Sequence, residues 1–253
     1  MEKLILGAQM YTVRNFTNSK EELDETLGKI ADIGYKYVQL SGLKFNDAGA
    51  VSELLIKHGL KAPLTHTSAD RILGDTEKVI EEHKLLGCSI VGLGSIPKKY
   101  WEANDVDGFI GDFLPAMEKI TASGLVFAFH NHYLEFSRYK GRCVLDYLFE
   151  ACGGLLQVIF DTYWGQFAGV DPAKYIRDHA GEIAALHLKD MQIKDGKPDF
   201  ADVLEGNMNF DAITEAANLT SGLCFVEHYN SERPFESLKI SYDNIMERYD
   251  CYV

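Results

Sequence analysis

The sequence predicts a single domain, residues 1–253, that folds as a (β/α)8 TIM barrel. Eight short apolar runs alternate with eight longer stretches whose apolar residues recur at helical spacing. No proline-rich linker or shift in composition divides the chain. The length also suits eight strand–helix units, since such barrels commonly use about 250 residues. No GxGxxG or Walker lysine loop follows the first apolar run, which counts against an open nucleotide-binding sheet.

The eight apolar runs are predicted to be parallel strands. Several of them are almost continuously apolar, as expected for strands that are buried on both faces. In chain order, the predicted strands are residues 4–10, 37–40, 61–66, 89–94, 125–131, 157–161, 183–188 and 223–228.

The stretches between these runs are predicted to be helices. Asp47, Asp75 and Asp171 stand where N-caps are expected, and glycines such as Gly34 and Gly87 stand where helices should end. In chain order, the predicted helices are residues 19–33, 47–58, 75–86, 106–122, 141–151, 172–179, 210–218 and 234–249.

Composition and charge exclude several classes of protein. The chain is 46% hydrophobic and 25% charged, which is ordinary for a soluble globular protein. The chain has 25 Lys and Arg residues against 38 Asp and Glu residues, a net charge of −13. Because this charge repels nucleic acid and anionic lipid, neither is expected as a partner. Five scattered cysteines without CxxC spacing indicate reduced thiols. With no signal-peptide pattern and no membrane-length apolar run, we expect a cytoplasmic protein.

Polar side chains stand at the end of almost every predicted strand. Active sites of these barrels lie at the C-terminal ends of the strands, so these residues should meet around one opening. In chain order they are Gln9, Tyr11, Gln39, His66, His130, His132, Glu135, Asp161, His187, Lys189, Glu227 and His228.

Four of these strand ends offer ligands for a metal ion. A histidine from the fifth strand, with Asp161, His187 and Glu227, supplies mixed nitrogen and oxygen donors suited to Mn²⁺, Zn²⁺, Co²⁺ or Fe²⁺. His130 and His132 share one face of their strand, so either could be the fifth-strand ligand. The alternative is that each residue is an individually satisfied polar group at a strand end.

Seven segments together resemble a known family. They are residues 6–14, 129–136, 160–164, 168–172, 186–190, 204–210 and 225–228. In their order and spacing, the chain resembles the xylose-isomerase-like TIM-barrel superfamily, and within it the sugar phosphate isomerase/epimerase group, over nearly its full length.

The resemblance implies a divalent metal, one of Mn, Zn, Co, Fe or Mg, held at the ends of strands five to eight. Asp161, His187 and Glu227 match the ligands of the last three strands. Relatives generally carry a glutamate on strand five, where this chain has His130-Asn131-His132, a variant similar to the inosose dehydratase branch. We favour His132 as the ligand because it lies nearer the end of the strand, with His130 as the alternative register. Glu135 is then expected at the mouth, beside the substrate.

Two further positions depart from the family pattern. Trp164 stands where epimerases often have a histidine, and its indole is expected either to stack on a sugar ring or to pack at the rim. Gln39 stands where relatives often have a glutamate.

The resemblance implies an enzyme that abstracts a proton next to a carbonyl of a free sugar or keto sugar. Glu227 or Glu135 would be the base and Lys189 would bind a substrate oxygen. The expected substrate contacts are Gln9, Tyr11, His66, His130 and Trp164.

An isomerase or epimerase is the favoured function. A dehydratase or lyase of a keto-inositol or 3-keto sugar is the first alternative, because histidine in place of the strand-five glutamate removes one of two carboxylates. A non-catalytic sugar-binding barrel is the second. Relatives are often dimers or tetramers, and a homo-oligomer is compatible with the sequence.

Overall fold

The structure is a computed structural model that describes residues 4–229 and 231–252; residues 1–3, 230 and 253 lie outside the described part. Eight parallel strands form its centre. The strands are β1 (Leu4–Gln9), β2 (Tyr37–Leu40), β3 (Lys61–Thr65), β4 (Ile90–Leu93), β5 (Val126–His130), β6 (Gln157–Asp161), β7 (Ile183–Leu188) and β8 (Leu223–Val226). Each strand pairs with the next in sequence, and β8 pairs back onto β1, so the sheet closes into the predicted (β/α)8 barrel.

Helices connect the strands and cover the outside of the barrel. They are α1 (Lys20–Ile33), α2 (Ala48–Lys57), α3 (Ala69–Gly74), α4 (Thr76–Leu86), α5 (Lys98–Ala103), α6 (Val106–Ala122), α7 (Val144–Ala151), α8 (Thr162–Phe167), α9 (Pro172–Asp178), α10 (Phe210–Ala217) and α11 (Pro234–Arg248). In the described part of the chain, no helix is both long and apolar enough to span a membrane.

The predicted caps and stops are confirmed. The carboxylates of Asp47, Asp75 and Asp171 each accept a hydrogen bond from the backbone N–H three residues later, at the start of α2, α4 and α9. Gly87 ends α4 in the left-handed conformation, at φ 70°, which glycine adopts without a steric penalty.

The structure adds elements that the sequence analysis did not predict. Helices α3, α5 and α8 have six residues each, too few to show a helical period. A short hairpin joins Arg138–Tyr139 to Arg142–Cys143, and a longer one joins Asp190–Lys194 to Lys197–Ala201 directly after β7. The second hairpin places Phe200 beside the mouth of the barrel, where its ring lies 5.7 Å from that of Tyr229.

Apolar side chains fill the interior of the barrel. The buried residues of this inner cluster are Leu64, Ile90, Ala128, Ile159, Ala184, Ala185 and Phe225. Because Ala128 points inward, His130 two residues later on β5 points inward as well. The polar strand ends therefore stand above an apolar plug, at the C-terminal opening.

Candidate active site

A cavity of about 620 Å³ opens at the C-terminal end of the barrel. Most of the predicted site residues line it: Gln9, Tyr11, His66, His130, His132, Trp164, Lys189 and Glu227. Asp161 and His187 are completely buried and contact these lining residues from the ends of β6 and β7. The strand ends thus converge as predicted.

Four buried side chains form one cluster at this opening. His130, Asp161, His187 and Glu227 each place a nitrogen or oxygen atom within 4.8 Å of the corresponding atoms of the others. His130 Nε2 lies 3.2 Å from Asp161 Oδ2, and His187 Nδ1 lies 2.9 Å from Glu227 Oε2. Two imidazoles and two carboxylates are ligands that suit a divalent transition metal.

Of the two strand-five candidates, His130, the alternative register, lies in this cluster, and the preferred His132 does not. β5 ends at His130, which pairs with Ile159 of β6, and beyond it the chain leaves the sheet. His132 therefore no longer follows the alternation of the strand. Its ring packs edge-on against His130 at 4.7 Å and faces Trp164 at 5.5 Å, as part of the cavity wall.

Gln39 orients His187 from the end of β2. Its Oε1 atom lies 2.6 Å from His187 Nε2, and an amide oxygen at this place accepts a hydrogen bond from the tautomer of His187 that carries its proton on Nε2. The lone pair of His187 Nδ1 is left facing Glu227. Such an outer partner fixes the tautomer and ring orientation of a metal-binding histidine.

Two atoms of the cluster are buried without a partner. His187 Nδ1 and Glu227 Oε2 form no hydrogen bond with any group in the described part of the chain, although they lie close together. In the tautomer of His187 that is protonated on Nε2, both atoms are acceptors and no proton lies between them. Buried polar atoms are rarely left unsatisfied, and a cation between these two would satisfy both. The residues present therefore fit a divalent metal ion.

Lys189 is buried beside the two carboxylates. Its Nζ atom lies 3.1 Å from Asp161 Oδ2 and 3.2 Å from Glu227 Oε1. Burial opposes the charged ammonium, but the two carboxylates outweigh it and raise the pKa of Lys189. Burial likewise opposes the carboxylate of Glu227, yet the adjacent Lys189 ammonium holds its pKa well below the usual value. At neutral pH, Lys189 is therefore a charged ammonium that lies between the two carboxylates.

The histidines at the cavity are neutral. Burial lowers the pKa of His66 and of His130 well below the usual value and also lowers the pKa of His132. His66 Nδ1 hydrogen-bonds Ser41 Oγ at 3.0 Å, and its Nε2 atom is buried without a partner among the described residues. Neutral imidazoles can ligate a metal, bind a sugar hydroxyl or accept a proton.

Asp161 is held by Asn131, which follows β5, and by the first turn of α8. Its backbone N–H donates to Asn131 Oδ1 at 2.9 Å, and its Oδ1 accepts from the Trp164 backbone N–H at 2.9 Å, which caps α8. Oδ2 is thereby directed to the cluster. The same short helix sets the indole of Trp164 on the cavity wall.

Glu135 does not stand at the mouth, where it was expected. It is 1% exposed, is not among the residues that line the cavity, and accepts a hydrogen bond from the His132 backbone N–H at 2.9 Å. Burial raises its pKa to about 7. Glu135 therefore anchors the loop after β5 through the His132 backbone and does not line the cavity.

Aromatic residues complete the rim. Tyr11 stacks on Tyr229 with 5.4 Å between ring centroids, and Arg14 lies over Tyr11 while donating to the carbonyl oxygens of both tyrosines. Gln9 accepts from the Tyr11 backbone N–H, which leaves its own amide NH₂ available. The roles of Tyr229 and Phe200 were not predicted, although Tyr229 follows the strand-eight motif directly.

Comparisons with known proteins agree with the fold. No protein-family model and no curated protein matches the chain. Among solved structures, it is similar to a sugar phosphate isomerase/epimerase from Parabacteroides distasonis ATCC 8503, with a TM-score of 0.76 and 19% identity over 98% of this chain and 95% of that one.

Two further structures carry more specific names. A D-allulose 3-epimerase from Methylomonas sp., in complex with D-allulose, matches with a TM-score of 0.71 and 14% identity over 98% of both chains. A probable 3-DHS dehydratase from Bacillus anthracis, involved in petrobactin synthesis, matches with a TM-score of 0.72 and 12% identity over 96% of this chain and 99% of that one. The resemblance to sugar phosphate isomerase/epimerase and xylose isomerase-like barrels is confirmed at the level of the fold.

Proposed function

We propose that this protein is a metal-dependent enzyme that moves a proton at a carbon next to the carbonyl of a free sugar or keto sugar. The observation that carries the proposal is the buried cluster with its two unpartnered acceptors, His187 Nδ1 and Glu227 Oε2, at the base of an open cavity. Structures of similar fold include sugar epimerases and a probable dehydratase, which supports sugar chemistry at this site.

The cluster would hold the metal through His130, Asp161, His187 and Glu227. A divalent ion there supplies Lewis acidity, which makes the proton next to a carbonyl easier to remove. Mn²⁺, Zn²⁺, Co²⁺ and Fe²⁺ suit this mixture of nitrogen and oxygen donors better than Mg²⁺ does.

The chain's own residues divide the remaining work. Glu227 is the carboxylate that faces both the cluster and the cavity, and it would accept the proton. Lys189 would donate a hydrogen bond to the oxygen on which negative charge develops, since its ammonium is already charged and fixed. His66, with its free Nε2, lies across the cluster with its ring 5.5 Å from that of His187 and would act as the second acid–base group.

Dehydration is the second candidate. The strand-five glutamate of the epimerases is replaced by His130, and Glu135 does not line the cavity, so neither strand five nor the loop after it supplies a second carboxylate base at the cluster. An elimination needs a single base and a leaving hydroxyl, which this arrangement supports.

Metal binding is the first test. Wild type and Glu227→Gln would be analysed for bound metal and titrated with Mn²⁺, Zn²⁺, Co²⁺ and Fe²⁺, with the exposed Glu247→Gln as a matched control. We expect about one ion per chain in wild type and the control, and at least tenfold weaker binding in Glu227→Gln. Failure of wild type to bind any of these ions would favour the non-catalytic sugar-binding barrel.

Turnover in D₂O then separates the reactions. Ketohexoses, keto-inositol and 3-keto sugars would be incubated with the metal-loaded protein and followed by NMR and mass spectrometry. An epimerase or isomerase incorporates deuterium into a product that has lost no water. A dehydratase instead gives a product that is lighter by one water molecule. If no metal supports either deuterium exchange or product formation, both enzymatic candidates are refuted.

A further inference from the structure

The cavity extends well beyond the metal-binding cluster. The cluster, Lys189 and Trp164 occupy the ends of β5 to β8, while the loops after β2, β3 and β4 line the opposite side. We call this opposite side the distal half. It is lined by Ser41, Gly42, Thr67, Ser68, Ala69, Asp70, Gly94, Ser95 and Pro97.

One monosaccharide does not fill this space. Even if each of the twelve non-hydrogen atoms of a hexose took the ~30 Å³ of a liquid water molecule, the sugar would occupy about 360 Å³. The cavity holds about 620 Å³. A substrate whose carbonyl ring lies at the cluster therefore leaves room for much of a second ring.

The distal half is rich in small polar groups. Ser68, Asp70 and Ser95 are exposed to the cavity, and their side chains form no hydrogen bond with protein in the described residues. Hydroxyls and a carboxylate at the wall match a ring that carries hydroxyl groups. Trp164 and Tyr229 lie on the other side of the cavity, so an aromatic ring would find little to stack on in the distal half.

The charge of the cavity lining disfavours a phosphate group. Of the lining residues that the structure describes, Lys189 is the one with a cationic ammonium or guanidinium group, and two carboxylates already hold it. The nearby cations Arg71, Lys98 and Lys99 are paired with Glu82, Glu102 and Asp112. Arg14 does not line the cavity; it lies over the Tyr11 ring and donates to the carbonyl oxygens of Tyr11 and Tyr229. A phosphorylated sugar would meet Asp70 and Glu227 with no unpaired lysine or arginine among the lining residues that the structure describes.

We propose that the substrate is an uncharged disaccharide, with its carbonyl-bearing ring at the cluster and its second sugar ring in the distal half. This inference rests on the proposed function, because it takes the cluster as the reacting end. Ser68, Asp70 and Ser95 are the residues that would bind the second ring.

The test measures affinity on the metal-loaded protein by calorimetry. The probes are the reducing disaccharides cellobiose, maltose and lactose, their constituent monosaccharides, and glucose 6-phosphate. We expect at least one disaccharide to bind ten times more tightly than either of its monosaccharides, and glucose 6-phosphate to bind more weakly than glucose.

Two variants and a control locate the second ring. Ser95→Trp fills the distal half and Asp70→Asn removes its carboxylate, and each should reduce the ratio of disaccharide to monosaccharide affinity, Ser95→Trp by tenfold or more. Leu219→Trp, exposed at the other end of the barrel just before β8, should leave the ratio unchanged.

The outcomes separate this inference from the proposed function. It is overturned if no disaccharide has an advantage, if Ser95→Trp keeps that advantage, or if glucose 6-phosphate binds most tightly. Turnover of monosaccharides without a disaccharide advantage would overturn the inference and leave the proposed function in place. A disaccharide advantage that Ser95→Trp removes, without turnover in D₂O, would support the binding site and count against the enzyme.

Discussion

The buried carboxyl of Glu135 should make the stability of this protein depend on pH. The side chain is 1% exposed, and burial raises its pKa from 4.5 to about 7, despite hydrogen bonds to backbone N–H groups that lower it. The folded state therefore binds the proton more tightly than the unfolded chain does. Its contribution to stability is fully present below pH 4.5 and is lost as the pH rises through about 7.

The magnitude follows from the size of the shift. Going from 4.5 to about 7 corresponds to roughly 3.4 kcal/mol when both states are fully ionised, at about 1.36 kcal/mol per pKa unit. Between pH 5 and pH 8, the linkage relation gives a loss of about 2.5 kcal/mol from this group alone. Glu135→Gln keeps the side-chain volume and an oxygen that accepts from the His132 backbone N–H, but it cannot ionise.

Urea unfolding followed by circular dichroism at pH 5 and pH 8 measures this effect. EDTA in all samples keeps metal binding out of the comparison. Wild type should lose about 2.5 kcal/mol more than Glu135→Gln between the two pH values, because all other titrating groups are common to both. The exposed Glu247→Gln should behave like wild type. If wild type and Glu135→Gln lose the same free energy within about 0.5 kcal/mol, burial does not perturb Glu135 as argued.

Further predictions concern the residues around the cluster. Gln39→Leu removes the acceptor that orients His187 and should weaken metal binding about 10- to 100-fold on titration, and an unchanged affinity would rule out that orienting role. Lys189→Met should lower kcat about 10²- to 10³-fold in the D₂O assay while metal is still bound, and full activity would remove Lys189 from the mechanism. Asp190→Asn weakens a carboxylate that accepts from four backbone N–H groups, so urea unfolding should show a loss of about 1–3 kcal/mol, whereas no loss would mean that the loop is ordered otherwise. Trp164→Ala should weaken sugar binding about tenfold by calorimetry, and unchanged binding would reduce it to a packing role at the rim.

The fold was predictable because buried parallel strands leave a strong local signal. All eight predicted strands are present among the described residues, since each is an apolar run bounded by polar or glycine residues. The short helices α3, α5 and α8 gave no periodic signal in six residues. The hairpin after β7 did leave a signal in the sequence, the pair Asp195-Gly196. Both residues adopt positive φ at its turn, as Asp-Gly pairs commonly do.

Sequence placed three members of the cluster but not the fourth. Asp161, His187 and Glu227 match the family's ligands at the ends of strands six to eight, and convergence in the barrel brings them together. Strand five offered two histidines on one face, and the choice depended on where the strand ends. That point is fixed by pairing of His130 with Ile159, a contact across 29 positions of sequence that local pattern does not contain.

His130 and Lys189 are best understood together, as parts of one charge balance. Asp161 and Glu227 bring two negative charges into a site from which water is largely excluded, and Lys189 returns one positive charge at 3.1–3.2 Å from both. A glutamate in place of His130 would add a third negative charge, and burying it would require a further partner. The neutral imidazole avoids that cost and still offers a lone pair. A divalent ion would then leave the cluster and Lys189 with one net positive charge, the sign that would stabilise the oxygen that becomes negative in the proposed proton transfer. The substitution that separates this chain from the usual epimerase pattern is therefore consistent with a site that relies more on stabilising the developing oxyanion than on a second carboxylate base.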